Sequence, residues 1–352
     1  MAQRAMVSKR EVIPEENLFV DYNPAPVKRR TVTPELCANA SLGRINVLYG
    51  TTGSGKTSYE SSLGYLNLIY KPFLEEIKCP KVIKCMQKGI LPEINKIGII
   101  DADLKFLLDM EDGDWKRKYR PLVEKEVFEL DEFHIMRTQE IKNGQRIEVI
   151  DPGIEEEKRE FESAIINNLR DPDIDLVVID SMSDYVDVLN DKLDMTYWDN
   201  ENAWEEGKLE GLKVMQRKMY GKRAKWYFNM LGAIRKAKKP TFLSFQVSEI
   251  PSAFRTKREA GKHFDTQFED PAFNIRWVNG TGYKVDNVYH CQRDYMRDKY
   301  KIMWKKGPWR MTPNVLDIPN DPFNFMHVLE ASADTLLGEY DREAFDKGEK
   351  FW

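Results

Sequence analysis

The sequence GTTGSGKT occupies residues 50–57 and fits the pattern GxxxxGK[ST] at every fixed position. It follows the apolar run INVLY at residues 45–49, and a helix-compatible stretch begins at Lys56. The glycines let backbone N–H groups curve around a phosphate, and the helix that follows adds the positive end of its dipole. Motif and context therefore agree on a phosphate-binding loop, here called the phosphate loop, between a buried strand and a helix.

The polar side chains of the phosphate loop each receive a predicted role. We expect Lys56 to reach the β- and γ-phosphates as a point charge, and the Thr57 hydroxyl to bind Mg²⁺. The predicted cofactors are accordingly ATP and Mg²⁺. The predicted cofactor-binding residues are Gly50, Thr51, Thr52, Gly53, Ser54, Gly55, Lys56, Thr57 and Ser58.

Three further apolar runs, at residues 97–100, 176–179 and 241–245, predict buried strands of a mostly parallel sheet. Asp180 comes directly after the second of these runs. A carboxylate at the carboxyl end of such a strand lies beside a phosphate loop and holds magnesium, in what is termed the Walker B position. The sequence therefore predicts a metal site formed by Thr57 and Asp180.

The residues at the ends of these strands resemble those of the RecA-like P-loop ATPases. IIDAD at residues 99–103 looks like the family element that ends in Asp-Ala-Glu, and VIDS at residues 178–181 looks like its Walker B sequence. LSFQ at residues 243–246 ends in glutamine, as the following strand does in that family. The resemblance implies that Asp103 polarises the attacking water and that Gln246 senses the γ-phosphate. Adenine rather than guanine is also an expectation from the family.

Two departures from related patterns leave alternatives open. Asp103 stands where family members usually have Glu, so Asp101 competes with it for the role beside the attacking water. Ser181 follows Asp180, where AAA+ and FtsK/HerA-like motors have Glu. The catalytic base must therefore come from elsewhere in the chain.

Paired lysines end the segment YKIMWKK at residues 300–306. RecA-like and replicative-helicase families place Lys or Arg at a similar point to reach the ATP of the adjacent subunit. The resemblance implies that Lys306 acts in this way, with Lys305 and Arg310 as alternatives, and that the protein works as a homo-oligomer in a hexameric ring or a filament. A solvated basic turn is the competing interpretation.

Basic residues after Gln246 are the predicted nucleic-acid contacts. In the RecA family the corresponding loop lines the DNA channel, so Arg255, Lys257 and Arg258 are expected to bind backbone phosphates, with DNA favoured. A second basic stretch, at residues 217–239, is interleaved with aromatic residues. It fits a solvated helix face better than a surface on which bases stack.

Composition limits the class of protein. The 352 residues are 41% hydrophobic, which is ample for a packed core. Lys and Arg number 54 against 58 Asp and Glu, a near-balance that argues against a globally basic DNA-coating protein. The four cysteines form no CxxC pair, and we expect neither a zinc site nor a disulfide framework. No signal peptide or long apolar run is evident, which predicts a cytoplasmic protein without membrane contact, in the host cytoplasm if the protein is viral.

Together these features predict an α/β fold: a RecA-like P-loop NTPase core at residues 41–310, with a mostly parallel sheet and helices on both faces. Residues 1–40 are predicted to form an extended N-terminal arm, and residues 311–352 a short C-terminal appendage. The expected function is Mg²⁺-dependent ATP hydrolysis coupled to recombination, translocation or helicase-type work on nucleic acid, in a protein of viral or mobile-element type. The alternatives are a viral genome-packaging motor and a regulatory ATPase switch that acts on protein partners.

Overall fold

The computed structural model describes residues 42–102, 104–133, 138–142, 145–149, 154–198, 209–249, 273–307 and 315–337. Several predictions lie outside the described residues. These are the N-terminal arm, the water-activating Asp103, the nucleic-acid residues Arg255, Lys257 and Arg258, and the alternative trans-acting Arg310.

The strands form in chain order from short, mostly buried runs. They are β1 (Ile45–Gly50), β2 (Ile97–Asp101), β3 (Phe128–Glu132), β4 (Thr138–Lys142), β5 (Gln145–Val149), β6 (Leu176–Asp180), β7 (Thr241–Glu249), β8 (Phe273–Ile275), β9 (Asn287–Asp294), β10 (Lys299–Lys306) and β11 (Val315–Pro319).

One large sheet contains nine of these strands, and eight of them follow the order β11-β10-β9-β1-β7-β6-β2-β3. The six strands from β9 to β3 in this order pair in parallel. Strands β10 and β11 extend the sheet antiparallel, and β8 pairs antiparallel with the end of β7. The phosphate loop follows β1, so β7 lies between the strand of the phosphate loop and the strand that ends in Asp180.

Helices cover both faces of the sheet. They are α1 (Lys56–Ser62), α2 (Lys71–Glu76), α3 (Pro80–Gln87), α4 (Lys105–Glu111), α5 (Gly113–Glu124), α6 (Ile154–Arg170), α7 (Met182–Trp198), α8 (Leu209–Ala237), α9 (Thr281–Lys284) and α10 (Asn324–Leu337).

Strand alternation divides the core between the two faces. In β1, Leu48 packs into a cluster with residues of α1, α3, α5 and α10. Val47 and Tyr49 point to the opposite face and pack with residues of α6, α7 and α8. Because successive side chains of a strand point to opposite faces, a run that is buried throughout belongs between two helical layers. The predicted fold class, an α/β RecA-like core with a mostly parallel sheet and helices on both faces, is confirmed.

The C-terminal segment continues this core as far as it is described. Strand β11 adds to the sheet edge beside β10. Helix α10 packs on α3 and α1, and Phe325 and Met326 are fully buried. The appendage is thus built into the first helical layer, and the boundaries at residues 40 and 310 remain predictions.

A hairpin predicted from two β-prone runs, at residues 127–136 and 146–150, is only partly correct. The turn forms, because β4 and β5 pair antiparallel from Thr138↔Val149 to Lys142↔Gln145. The first run, however, forms β3, which pairs in parallel with β2 in the main sheet. The half-buried alternation of β3 suits a sheet edge as well as a hairpin, so periodicity alone did not distinguish them.

Among the described residues, no helix combines the length and the apolar character needed to cross a bilayer.

Candidate nucleotide-binding site

The phosphate loop turns sharply from β1 into α1 at the carboxyl edge of the sheet. Gly53 and Gly55 adopt φ values of 75° and 88°, in the left-handed region that favours glycine. The amide of Ser54 donates to the Thr51 carbonyl at 3.2 Å and closes the turn. Helix α1 then begins at Lys56, so its free N–H groups face the concave side of the loop.

Close packing requires two of the glycines. A Cβ on Gly50 would lie 2.3 Å from the Cys291 carbonyl oxygen of the neighbouring strand β9. A Cβ on Gly55 would lie 2.5 Å from the ring of Tyr300 on β10. The adjacent strands therefore support the loop from below, and larger residues would displace it.

We predict that Gly50→Ala lowers the free energy of unfolding by about 1–3 kcal/mol, because backbone atoms must move to admit the methyl group. Gly232→Ala is the matched control, since Gly232 lies inside α8 and its added Cβ meets no atom within 4 Å. That substitution is expected to add about 0.5–1 kcal/mol through helix propensity. Urea denaturation measures both, and equal effects of the two substitutions would contradict the packing described here.

The side chain of Lys56 lies inside the loop and is 2% exposed. Its ammonium donates to the carbonyl oxygens of Gly50 at 3.1 Å and Thr51 at 3.3 Å. A buried ammonium is costly without charged or strongly polar partners. Its position at the start of α1 is the one that the sequence predicted for contact with phosphate.

Thr57 and Asp180 meet as the metal prediction requires. The Thr57 hydroxyl donates to Asp180 Oδ2 at 3.2 Å, and both side chains are buried. Asp101 is fully buried on the neighbouring strand, where its Cα pairs with that of Asp180. The structure thus places Asp101 at the same edge, while Asp103 lies outside the described residues.

Gln246 lies directly across from the first residue of the phosphate loop. Its Cα pairs with that of Gly50 between the parallel strands β7 and β1. Two residues earlier on the same strand, the Ser244 hydroxyl donates to Glu60 of α1 at 2.7 Å. Because residues two apart in a strand share a face, Gln246 is on the face of the sheet that carries α1.

Lys306 is half-buried, and its ammonium contacts its own chain. It donates to the carbonyl oxygens of Gly282 at 2.6 Å and Val285 at 2.7 Å. Burial lowers the pKa of this lysine. In this conformation its ammonium is held within the subunit, and the role in a neighbouring subunit stays a prediction.

The second basic stretch is largely absorbed into the fold of α8. The ring of Tyr227 is fully buried, and its hydroxyl accepts a hydrogen bond from Thr281 at 3.2 Å. Arg235 forms an ion pair with Asp286 at 3.0 Å. Arg223 is half-buried, and burial lowers its pKa. These contacts agree with a helix that packs against the sheet.

A cleft of about 330 Å³ opens beside the loop. Its lining runs from Thr52, Lys56 and Thr57 of the loop to Trp115 on α5 and Arg293 on β9. Volumes of about 300–1,000 Å³ are typical of small-molecule sites. The cleft therefore has room for a small ligand that also contacts the loop.

The residues present fit a phosphate group and a hard cation. The loop offers the N–H groups that open α1, the ammonium of Lys56 and a cradle that a Cβ on Gly50 would fill. Within the part of the chain that the structure describes, the buried Ser54 hydroxyl has no hydrogen-bond partner. Oxygen ligands of the kind that Mg²⁺ prefers come together at Thr57 and Asp180.

Sequence reasoning missed the side chains that surround these groups. Glu60 is buried one turn after Lys56. Arg276 donates to Gln246 Oε1 at 3.0 Å and also forms an ion pair with Asp187. Burial raises the pKa of Asp184, and a hydrogen bond from Ser181 opposes the shift. No spacing in the sequence signals these contacts, because they join residues that are distant in the chain.

Comparisons with known proteins give a structural likeness only. No protein-family model matches the chain, and no curated protein does. Among solved structures, the crystal structure of the RadB recombinase is similar, with 13% sequence identity and a TM-score of 0.35. The alignment covers 80% of this chain and 88% of that chain.

Proposed function

We propose that the protein binds ATP together with Mg²⁺ at residues 50–58 and hydrolyses the ATP. One observation carries the proposal: the Thr57 hydroxyl lies 3.2 Å from Asp180, at the N-terminus of the helix that opens the phosphate loop. This arrangement joins an anion-binding helix terminus to a carboxylate that suits a divalent cation. A nucleoside triphosphate with its metal carries both groups.

Each residue has a distinct part in this proposal. Thr57 and Asp180 would hold Mg²⁺, which when bound neutralises charge on the phosphate oxygens. Lys56 supplies a fixed positive charge from a buried position. Asp103 is the proposed residue for orienting the attacking water, with the buried Asp101 as the alternative.

We further propose that hydrolysis is coupled to work on nucleic acid, as in recombination, translocation or a helicase-type activity. The support is chain connectivity. Residues 250–272 contain the basic residues predicted to contact DNA, and they join β7 to β8, which pair at Glu249↔Phe273. Gln246 lies on β7 three residues before Glu249. A change at Gln246 would therefore be passed to this segment along one strand.

The proposed working form is a homo-oligomer of viral or mobile-element type, in a ring or filament. Lys306 would reach the neighbouring ATP only after leaving the carbonyls of Gly282 and Val285. A packaging motor would depend on double-stranded DNA, and a regulatory switch would respond to no nucleic acid. Phosphate release with single-stranded DNA, double-stranded DNA or neither separates these functions. The proposal predicts stimulation by single strands.

The nucleic-acid residues are tested by removing their charge. We predict that the triple variant Arg255→Ala, Lys257→Ala, Arg258→Ala binds single-stranded DNA at least about 10-fold more weakly at low salt. The slope of log affinity against log salt should fall by about 0.7 for each lost contact.

The matched control removes three exposed lysines elsewhere, by Lys116→Ala, Lys222→Ala and Lys225→Ala. Fluorescence anisotropy of labelled DNA over a salt series measures both variants. Equal losses in the two triple variants would show that net charge alone governs binding and would reject these contacts.

A further inference from the structure

The carboxamide of Gln246 has a fixed orientation in this structure. Its Oε1 atom accepts a hydrogen bond from Arg276 Nη1 at 3.0 Å. A guanidinium has only donors, and only the oxygen of a primary amide accepts. The assignment of oxygen and nitrogen in this side chain therefore follows from chemistry, and the amide nitrogen must be the end turned away from Arg276.

Arg276 is itself held by a carboxylate. Its Nη2 atom donates to Asp187 Oδ2 on α7. The side chain of Asp187 is 15% exposed, so the ion pair is only partly screened by water. The guanidinium thus bridges α7 and the end of β7 with two of its nitrogen atoms, a geometry that Arg provides through its planar fork.

Backbone contacts fix the two residues relative to each other. The Arg276 amide donates to the Gln246 carbonyl at 3.0 Å. The Ser183 hydroxyl accepts from the Gln246 amide at 2.9 Å and lies 3.2 Å from the Arg276 carbonyl, to which it donates. Ser183 is fully buried and lies three residues after Asp180. This network connects the proposed metal ligand with Gln246.

We propose that Arg276 is a positioning residue for Gln246: by occupying the amide oxygen, it presents the amide nitrogen as the donor for a phosphate oxygen. Phosphate oxygens only accept hydrogen bonds, so an amide turned the other way would face them with its own acceptor. Asp187 supports the same orientation by holding the guanidinium in place. This inference rests on the proposed ATP hydrolysis and on the role given there to Gln246.

The test compares Arg276→Ala, Gln246→Ala and the double variant in steady-state ATP hydrolysis. Each single variant is expected to lower kcat about 10-fold, while KM and the affinity for a fluorescent ATP analogue change less than about 2-fold. The double variant should be no slower than Gln246→Ala alone, because Arg276 acts through that side chain.

Two further variants separate positioning from structural support. Arg276→Lys keeps one donor for the amide oxygen and is expected to recover part of the lost kcat. Asp187→Asn should lower kcat by a smaller factor than Arg276→Ala. Arg235→Ala is the matched control, since Arg235 also forms a partly exposed ion pair with an aspartate, Asp286, and should leave kcat unchanged.

Additive losses in the double variant, or a loss in KM with kcat intact, would overturn the role of Arg276. If Arg276→Ala does not fold, Arg276→Lys and Asp187→Asn decide the question, and wild-type kcat in both would overturn the role. Wild-type protein that hydrolyses no ATP would instead overturn the proposed function. The two failures are therefore distinguishable.

Discussion

Replacing Lys56 with alanine is expected to lower ATP turnover by about 100- to 1,000-fold, the usual effect of deleting a preorganised charged donor. The ammonium is buried within the loop and lies between the carbonyls of Gly50 and Thr51. A charge held in a water-poor site interacts more strongly with developing phosphate charge than one in solvent. Phosphate release at saturating ATP measures the effect.

The control for this variant is Lys71→Ala. Lys71 is exposed at the start of α2 and pairs only with Glu75 of its own helix at 3.5 Å in the described contacts. Its removal should leave turnover unchanged and stability within about 0.5 kcal/mol. Circular dichroism establishes that both variants fold. A folded Lys56→Ala protein that retains more than about a tenth of wild-type turnover would contradict the site as described.

The second large effect is expected from Asp180→Asn, which should lower turnover about 100-fold at low Mg²⁺ and recover in part as Mg²⁺ is raised. The amide oxygen of asparagine still accepts from Thr57, so the fold is retained while the negative charge is lost. Metal affinity depends on the charge of its ligands. A Mg²⁺ titration of phosphate release gives the half-saturating concentration for each protein.

Asp175→Asn is the matched control, because Asp175 comes just before the same strand, at its opposite end. Its carboxylate accepts from the amides of Asn95 and Lys96, away from the phosphate loop. This change is expected to alter stability slightly and leave the Mg²⁺ requirement unchanged. The same Mg²⁺ requirement in Asp180→Asn and wild type would remove Asp180 from the metal site.

The parallel core could be predicted because its strands are apolar throughout. The run at residues 176–179 forms β6 (Leu176–Asp180), and the run at residues 97–100 forms β2 (Ile97–Asp101). Strands buried on both faces need no alternation, so length and composition suffice to find them. Once the strands were located, the polar residue that follows each one identified the edge where the site lies.

The surroundings of the site could not be predicted in the same way. Arg276 and Asp187 are 89 residues apart in the chain, and their contact depends on how α7 lies against β7. Lys306 was read as a basic side chain that leaves the subunit, but its ammonium lies against backbone carbonyls. Backbone partners leave no trace in a sequence pattern, because every residue carries the same carbonyl group.

The most direct test of the central claim is phosphate release from ATP with Mg²⁺ by wild-type protein and Lys56→Ala, each without and with single-stranded DNA. The account predicts turnover in the wild type that requires Mg²⁺, increases with DNA, weakens as salt is raised and is lost in the variant. Wild-type turnover no greater than that of Lys56→Ala, with or without DNA, would contradict it.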